Sequence, residues 1–335
     1  MREHDLSGGA EVLARTDRIA GLALRHHDLS PDATATLINV SENATYRVDE
    51  PATGHRSILR VHRLGYHSEQ AIASELDWLE ALREEAGVRT PRVIPSAGGA
   101  RILAVEGPGG ERRNCVMFEY LPGTEPSEDR LVDDFERLGA VTARMHRHAR
   151  SWRRPPGFRR FHWDYDAALG KVARWGRWQD GTGVQGEARA VLERLDKVLR
   201  ERLAAFGRGT DRYGLIHADL RLANLLVEGA RAPNVIDFDD CGFGWYLYDL
   251  GAAVSFIEHY PQVPEMIDSW VRGYRTVLSL PKEEEQEIWT FILFRRLLLV
   301  AWIGTHSAVD IARELGAGYT DGSCELAERY LSGSL

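Results

Sequence analysis

The stretch Leu215-Ile216-His217-Ala218-Asp219-Leu220-Arg221-Leu222-Ala223-Asn224-Leu225-Leu226-Val227, followed by Asn234-Val235-Ile236-Asp237-Phe238-Asp239-Asp240, constrains this chain more than any other. Its short apolar runs read as strands. Between and after them stand three polar groups: the carboxylate of Asp219, the amide of Asn224 and the carboxylate of Asp237. An aspartate that merely hydrogen-bonds its own turn is common. Three such groups interleaved with strand-like apolar residues call for more than turn chemistry. One carboxylate suits a base, and an amide oxygen with a second carboxylate offers the hard oxygen donors that a small divalent cation prefers.

The pattern His-x-Asp-x-x-x-x-Asn, with an aspartate thirteen residues further on, resembles the catalytic loop and metal-binding carboxylate of protein kinases. The wording of Ala218-Asp219-Leu220-Arg221 and of Ile236-Asp237-Phe238-Asp239-Asp240 is similar to the aminoglycoside phosphotransferase/choline kinase family. Within it, the branch with stress-response kinase A and type II homoserine kinases looks nearest. The likeness extends, more thinly, from about Leu37 to the C-terminus. It implies an α+β, two-lobed protein-kinase-like fold: a small antiparallel-sheet N-lobe over 1–121 and a larger, mainly helical C-lobe over 122–335. It also implies an ATP-dependent O-phosphotransferase that delivers the γ-phosphate to a hydroxyl of a small molecule, such as an aminoglycoside-like antibiotic, an amino alcohol or a metabolite. A protein serine/threonine kinase and a nucleotide-binding pseudokinase are the alternatives.

On that resemblance Asp219 orients the acceptor hydroxyl and takes its proton, while Asn224 and Asp237 hold Mg²⁺ against the phosphates of ATP. Arg221 stands where protein kinases have a lysine and steadies charge on the transferring group. His217 stabilises the loop. Asp239 and Asp240 either help hold an ion, meet an amine on the substrate, or form a plain solvated turn.

Upstream, Thr36–Val40 and Ala44–Val48 read as strands, and the intervening loop with Ser41 lies over the nucleotide phosphates in this family. Ser57–Arg63 is a third strand whose alternation places Arg60 on one face with Ile58 and His62. The family's phosphate-holding lysine is missing, since no lysine precedes Lys171. Arg60 therefore takes that part, with Glu75 on the following helix as its partner, or it is a solvent-facing strand arginine. Asn114–Tyr120 is a strand running into Leu121-Pro122-Gly123. By resemblance the backbone of Glu119 and Leu121 meets the adenine edge, and Phe118 packs beside it.

Amphipathic helices are expected at 11–27, 70–84, 131–148 and 187–206. The segment 151–178, rich in arginine and tryptophan, either borders the acceptor site or packs helices. Asp249 either braces the catalytic loop or caps a helix. The net charge of −8 argues against nucleic acid and anionic membranes and permits a cationic substrate. Three scattered cysteines point to reduced thiols in the cytoplasm. The apolar stretch Leu297–Gly304 is too short to span a bilayer. The oligomeric state is not legible.

Overall fold

The computed structural model describes residues 9–40, 43–107, 109–229, 231–306 and 310–335. Two compact units emerge. The first holds Met1–Arg83, Thr90–Pro122 and Arg154–Arg159; the second holds Glu84–Arg89, Gly123–Arg153 and Arg160–Leu335.

The first unit is an antiparallel sheet with two helices. Its elements are α1 (Gly9–Leu24), β1 (Thr34–Val40), β2 (Ala44–Glu50), β3 (His55–Val61), α2 (Glu69–Ala86), β4 (Val93–Ile94), β5 (Leu103–Glu106) and β6 (Arg112–Glu119). The strand order is β1-β2-β3-β6-β4, with β5 also on β6. Alternation makes the sheet: Ala44, Tyr46 and Val48 of β2 are buried, while Arg47 between them is exposed. These residues pack with Leu59, Val61 and Met117 under Ile19, Ala20 and Ala23 of α1. Strand β3 departs from simple alternation because Arg60 is buried as well as Leu59 and Val61. Its second face is covered by α2, whose Glu75 reaches Arg60.

The second unit is mainly helical. Its elements are α3 (Leu131–Ser151), α4 (Tyr165–Leu169), α5 (Gly186–Phe206), β7 (Tyr213–Ile216), β8 (Leu225–Leu226), β9 (Asn234–Val235), β10 (Gly242–Trp245), α6 (Tyr248–Ala253), α7 (Val263–Arg275), α8 (Lys282–Glu285), α9 (Ile288–Thr305) and α10 (Asp310–Leu331). Helices α3 and α7 approach so closely that a Cβ at Gly273 would lie 1.8 Å from the Glu136 carbonyl oxygen, and one at Gly139 would lie 2.1 Å from that of Trp270. Helix α9 is apolar on all sides and long enough to cross a membrane, yet most of it is buried inside this unit. Helices of that type are core helices. Its apolar run starts well before Leu297, because the two arginines that seem to interrupt it, Arg295 and Arg296, are themselves buried.

Two short ladders carry the polar loops. Strand β7 pairs with β10, and β8 pairs with β9. All three cysteines are free, and burial pushes the Cys115 thiol up to about 12, which leaves it unreactive.

Candidate active site

Strand β7 ends at Ile216, and the chain turns through His217, Ala218 and Asp219 into a short 3₁₀ turn at Leu222–Asn224. Ala218 has φ of 68°, one of three positive-φ non-glycine residues among those described. That conformation costs an alanine on the order of 1–2 kcal/mol, so it persists only where neighbours enforce it. Both sides of Ala218 are held. Its N–H donates to Asp249 Oδ1 at 2.8 Å, and its carbonyl accepts from Arg295 Nη1 at 3.3 Å. Asp249 Oδ2 also accepts from the His217 N–H at 3.1 Å and meets His146 Nε2 at 2.9 Å. Asp249 is thus the brace of the loop rather than a helix cap. His146, buried between Asp249 and Tyr274, is structural.

His217 stabilises the loop as expected. Its Nδ1 accepts from the Asp219 N–H at 3.3 Å, which puts the ring proton on Nε2, 3.0 Å from the Ile236 carbonyl oxygen. One imidazole thereby ties the first loop to the strand that leads into Asp237.

Asp219 is the centre of the cluster. Its Oδ2 accepts from Arg221 Nε at 3.2 Å and from Asn224 Nδ2 at 2.8 Å. Its Oδ1 accepts from Arg295 Nη2 at 2.6 Å. Burial alone would raise the carboxyl pKa; Arg221, Arg295 and His217 together outweigh it and hold it below the usual carboxylate range. The Asn224 amide nitrogen also donates to the Asp219 carbonyl at 2.8 Å. Two donated bonds fix the orientation of that amide and leave its oxygen on the opposite side, available as a ligand.

Asp237 follows β9 with φ of 61°, a left-handed conformation that aspartate tolerates better than most residues. Its charge is close enough to contribute to the raised pKa of Arg221, after the larger effect of Asp219. Asp219, Arg221, Asn224 and Asp237 are therefore gathered within one unit. Among the described residues no group of three or more His, Cys, Asp or Glu side chains could cage a metal ion. An amide oxygen and a carboxylate fit an ion whose remaining ligands are phosphate oxygens.

The arginine–tryptophan segment holds the end of the second loop. Arg160 donates to the carbonyls of Asp239 and Cys241, and Trp163 Nε1 donates to that of Asp240 at 2.7 Å. Trp163, Trp175 and Trp178 are buried, so their bulk packs the interior.

In the first unit Arg60 is 7% exposed and not a solvent-facing strand arginine. Its Nη1 lies 2.6 Å from Oε1 of the fully buried Glu75, and its guanidinium sits 5.1 Å from the centroid of the Phe118 ring. The Glu119 side chain meets Arg83 at 3.3 Å, and its N–H donates to the Arg92 carbonyl at 2.8 Å. Leu121 is buried. Ser41 lies outside the described residues.

Sequence reasoning missed Arg295. The one available signal was a pair of arginines, Arg295-Arg296, inside a run otherwise apolar from Ile288 to Ile303 apart from Thr290. Arg296 is spent on a buried pair with Glu258 at 2.6 Å. Arg295 is spent on Asp219. Nothing in sequence separates the two.

Comparison with known proteins finds relatives in sequence and in fold. A family profile described as "Phosphotransferase enzyme family" covers residues 34–285. The amicoumacin kinase of Bacillus subtilis (strain 168) is 26% identical over 76% of this chain and 75% of its own. The solved microcompartment-associated aminopropanol kinase is 50% identical, with a TM-score of 0.87 over 94% of this chain and 97% of its own. The amicoumacin kinase hAmiN, solved with AMP-PNP, Ca²⁺ and Ami, shares the fold at 23% identity, with a TM-score of 0.76 over 96% of this chain and 95% of its own. With a profile spanning most of its length and a half-identical relative spanning nearly all of it, the chain belongs to the phosphotransferase enzyme family.

Proposed function

We propose that this small-molecule kinase transfers the γ-phosphate of ATP, with Mg²⁺, to the hydroxyl of a short amino alcohol of the aminopropanol kind. The observation that carries the acceptor class is the 50% identity to an aminopropanol kinase over 94% of the chain. A protein substrate is not favoured, since the kinases among these relatives act on small molecules.

Asp219 receives the acceptor hydroxyl. Its carboxyl sits below the usual carboxylate range, so it is a poor base at the start of the reaction. It aligns the hydroxyl and takes the proton as the O–P bond forms, in keeping with a loose transition state. Asn224 and Asp237 would hold the divalent ion, which when bound neutralises charge on the phosphates. Arg221, tied to Asp219 and near Asp237, steadies the transferring group. Arg60, locked by Glu75, contributes nucleotide affinity, as do Phe118 and the backbone of Glu119 and Leu121; Ser41 is retained for the phosphates on family resemblance. Three scattered cysteines without a disulfide support a cytoplasmic location.

The test is ADP release with ³¹P detection of product, using 1-amino-2-propanol, 1,2-propanediol and kanamycin as acceptors. The amino alcohol should exceed both others by at least about tenfold in kcat/KM, the scale of one lost polar contact. Transfer to kanamycin with none to the amino alcohol would overturn the acceptor assignment.

A further inference from the structure

We infer that Arg295 is a positioning residue for the transfer step, fixing the Asp219 carboxylate so that one lone pair of Oδ1 is presented to the acceptor hydroxyl. This rests on the phosphotransferase reading above and adds a residue from a helix that carries none of the loop motifs.

The argument begins with the acceptor capacity of the carboxylate. Each oxygen has room for about two hydrogen bonds. Oδ2 is filled by Arg221 Nε and Asn224 Nδ2, whereas among the described residues Oδ1 accepts from Arg295 Nη2 alone. The acceptor hydroxyl must therefore be received on Oδ1, the oxygen that Arg295 already holds. A single hydrogen bond from a mobile side chain would not fix this geometry, but Arg295 is not mobile. It is 2% exposed on α9. Its Nη1 donates to the Tyr248 hydroxyl at 3.1 Å and to the Ala218 carbonyl at 3.3 Å, and its Nε donates to Ser255 Oγ at 3.3 Å. The guanidinium also lies 5.3 Å from the Trp175 ring centroid.

One planar group thus binds the base and the strained peptide that precedes it. Arginine suits this because its donors leave in fixed directions, which an ammonium cannot reproduce. The geometry has a functional reading as well as a structural one. A buried arginine used only for stability needs a carboxylate, and Arg296 next to it takes Glu258, which belongs to neither loop motif. Arg295 takes the one carboxylate that performs the chemistry.

The test is steady-state kinetics of Arg295→Met, Arg295→Lys and Tyr248→Phe with MgATP and 1-amino-2-propanol, with thermal unfolding of each variant as a fold check. Arg295→Met should lower kcat by about 10²-fold, the scale of a misplacement of order 1 Å at a reacting group, while KM for ATP changes by less than about threefold. Arg295→Lys, which keeps a cation, should recover about a tenth of the wild-type kcat, a partial rescue that packing alone would not give. Tyr248→Phe removes one hold on the guanidinium and should lower kcat by about threefold to tenfold, so the inference remains testable if Arg295→Met fails to fold. In an Asp219→Asn background, Arg295→Met should add almost nothing. A folded Arg295→Met with wild-type kcat, a Tyr248→Phe without effect, or full additivity with Asp219→Asn would overturn the role of Arg295 and leave the kinase reading intact. A wild-type protein that phosphorylates no hydroxyl acceptor would overturn both.

Discussion

At the scale of single residues, the proposed mechanism centres on Asp219, and its replacement is the most direct prediction. Asp219→Asn keeps shape and loses the charge that Arg221, Arg295 and Asn224 surround. Turnover should fall by roughly 10² or more while nucleotide binding persists, as measured by kinetics and calorimetric titration; near-normal turnover would remove Asp219 from the mechanism. Arg60 calls for a different design. Glu75 is fully buried against it, so Arg60→Ala leaves a buried carboxylate unpaired and should cost about 3–5 kcal/mol of stability. The double change Arg60→Met with Glu75→Gln should recover most of that stability, read by denaturant unfolding, and should not recover nucleotide affinity. Recovery of both would make Arg60 purely structural. Much at this scale was legible. The spacing of Asp219, Asn224 and Asp237 stood in the sequence because loop chemistry is local. Arg295 did not, because its partner lies 76 positions away in the chain and its neighbour Arg296 carries the same letter.

At the scale of elements, the strands and helices were readable wherever periodicity was clean. Strand β2 alternates and was visible; β3 blurs because Arg60, an apparently outward residue, is buried under α2. Helix α9 was the hardest to read. Being apolar all round it has no periodic face, and the two arginines break the run into pieces that look too short. The contact between α3 and α7 was not legible at all, because a glycine in a helix announces a cost and not the backbone that it admits. That contact gives a prediction. A methyl at Gly273 would overlap the Glu136 carbonyl oxygen at 1.8 Å, and the obstacle is backbone, which cannot rotate away. Gly273→Ala, though favourable for helix propensity, should therefore destabilise by at least about 1–3 kcal/mol. Unchanged thermal stability would show that the helices can part freely. Helix α3 carries His146, which holds Asp249 and through it the strained Ala218 turn, so parting the helices should also lower kcat.

Across the whole molecule, the buried imidazoles and the Asp219 carboxylate contribute to how stability responds to acid. Burial lowers the pKa of His27, His146 and His148, against opposing contributions from the groups they touch. The unfolded chain protonates these rings near the ordinary value of about 6.5, and the folded chain resists. Below that pH the unfolded state binds more protons, so stability falls as pH falls, until the lowered folded-state values are passed. Asp219 acts in a second, more acidic window. Its folded pKa is depressed, so its contribution is complete above the unfolded value of about 3.9 and disappears as pH drops through the folded one. Thermal unfolding should therefore show a melting temperature that declines from about pH 6.5 downward and a further decline below about pH 4. His146→Gln should melt lower than wild type at pH 7.5, because Asp249 and Tyr274 lose their partner. It should also show a shallower decline between pH 6.5 and 5, because one resisting imidazole is gone. A wild-type melting temperature that stays level from pH 7.5 to 5 would mean that these rings exchange protons with solvent as freely folded as unfolded, and the interior described here would not do that.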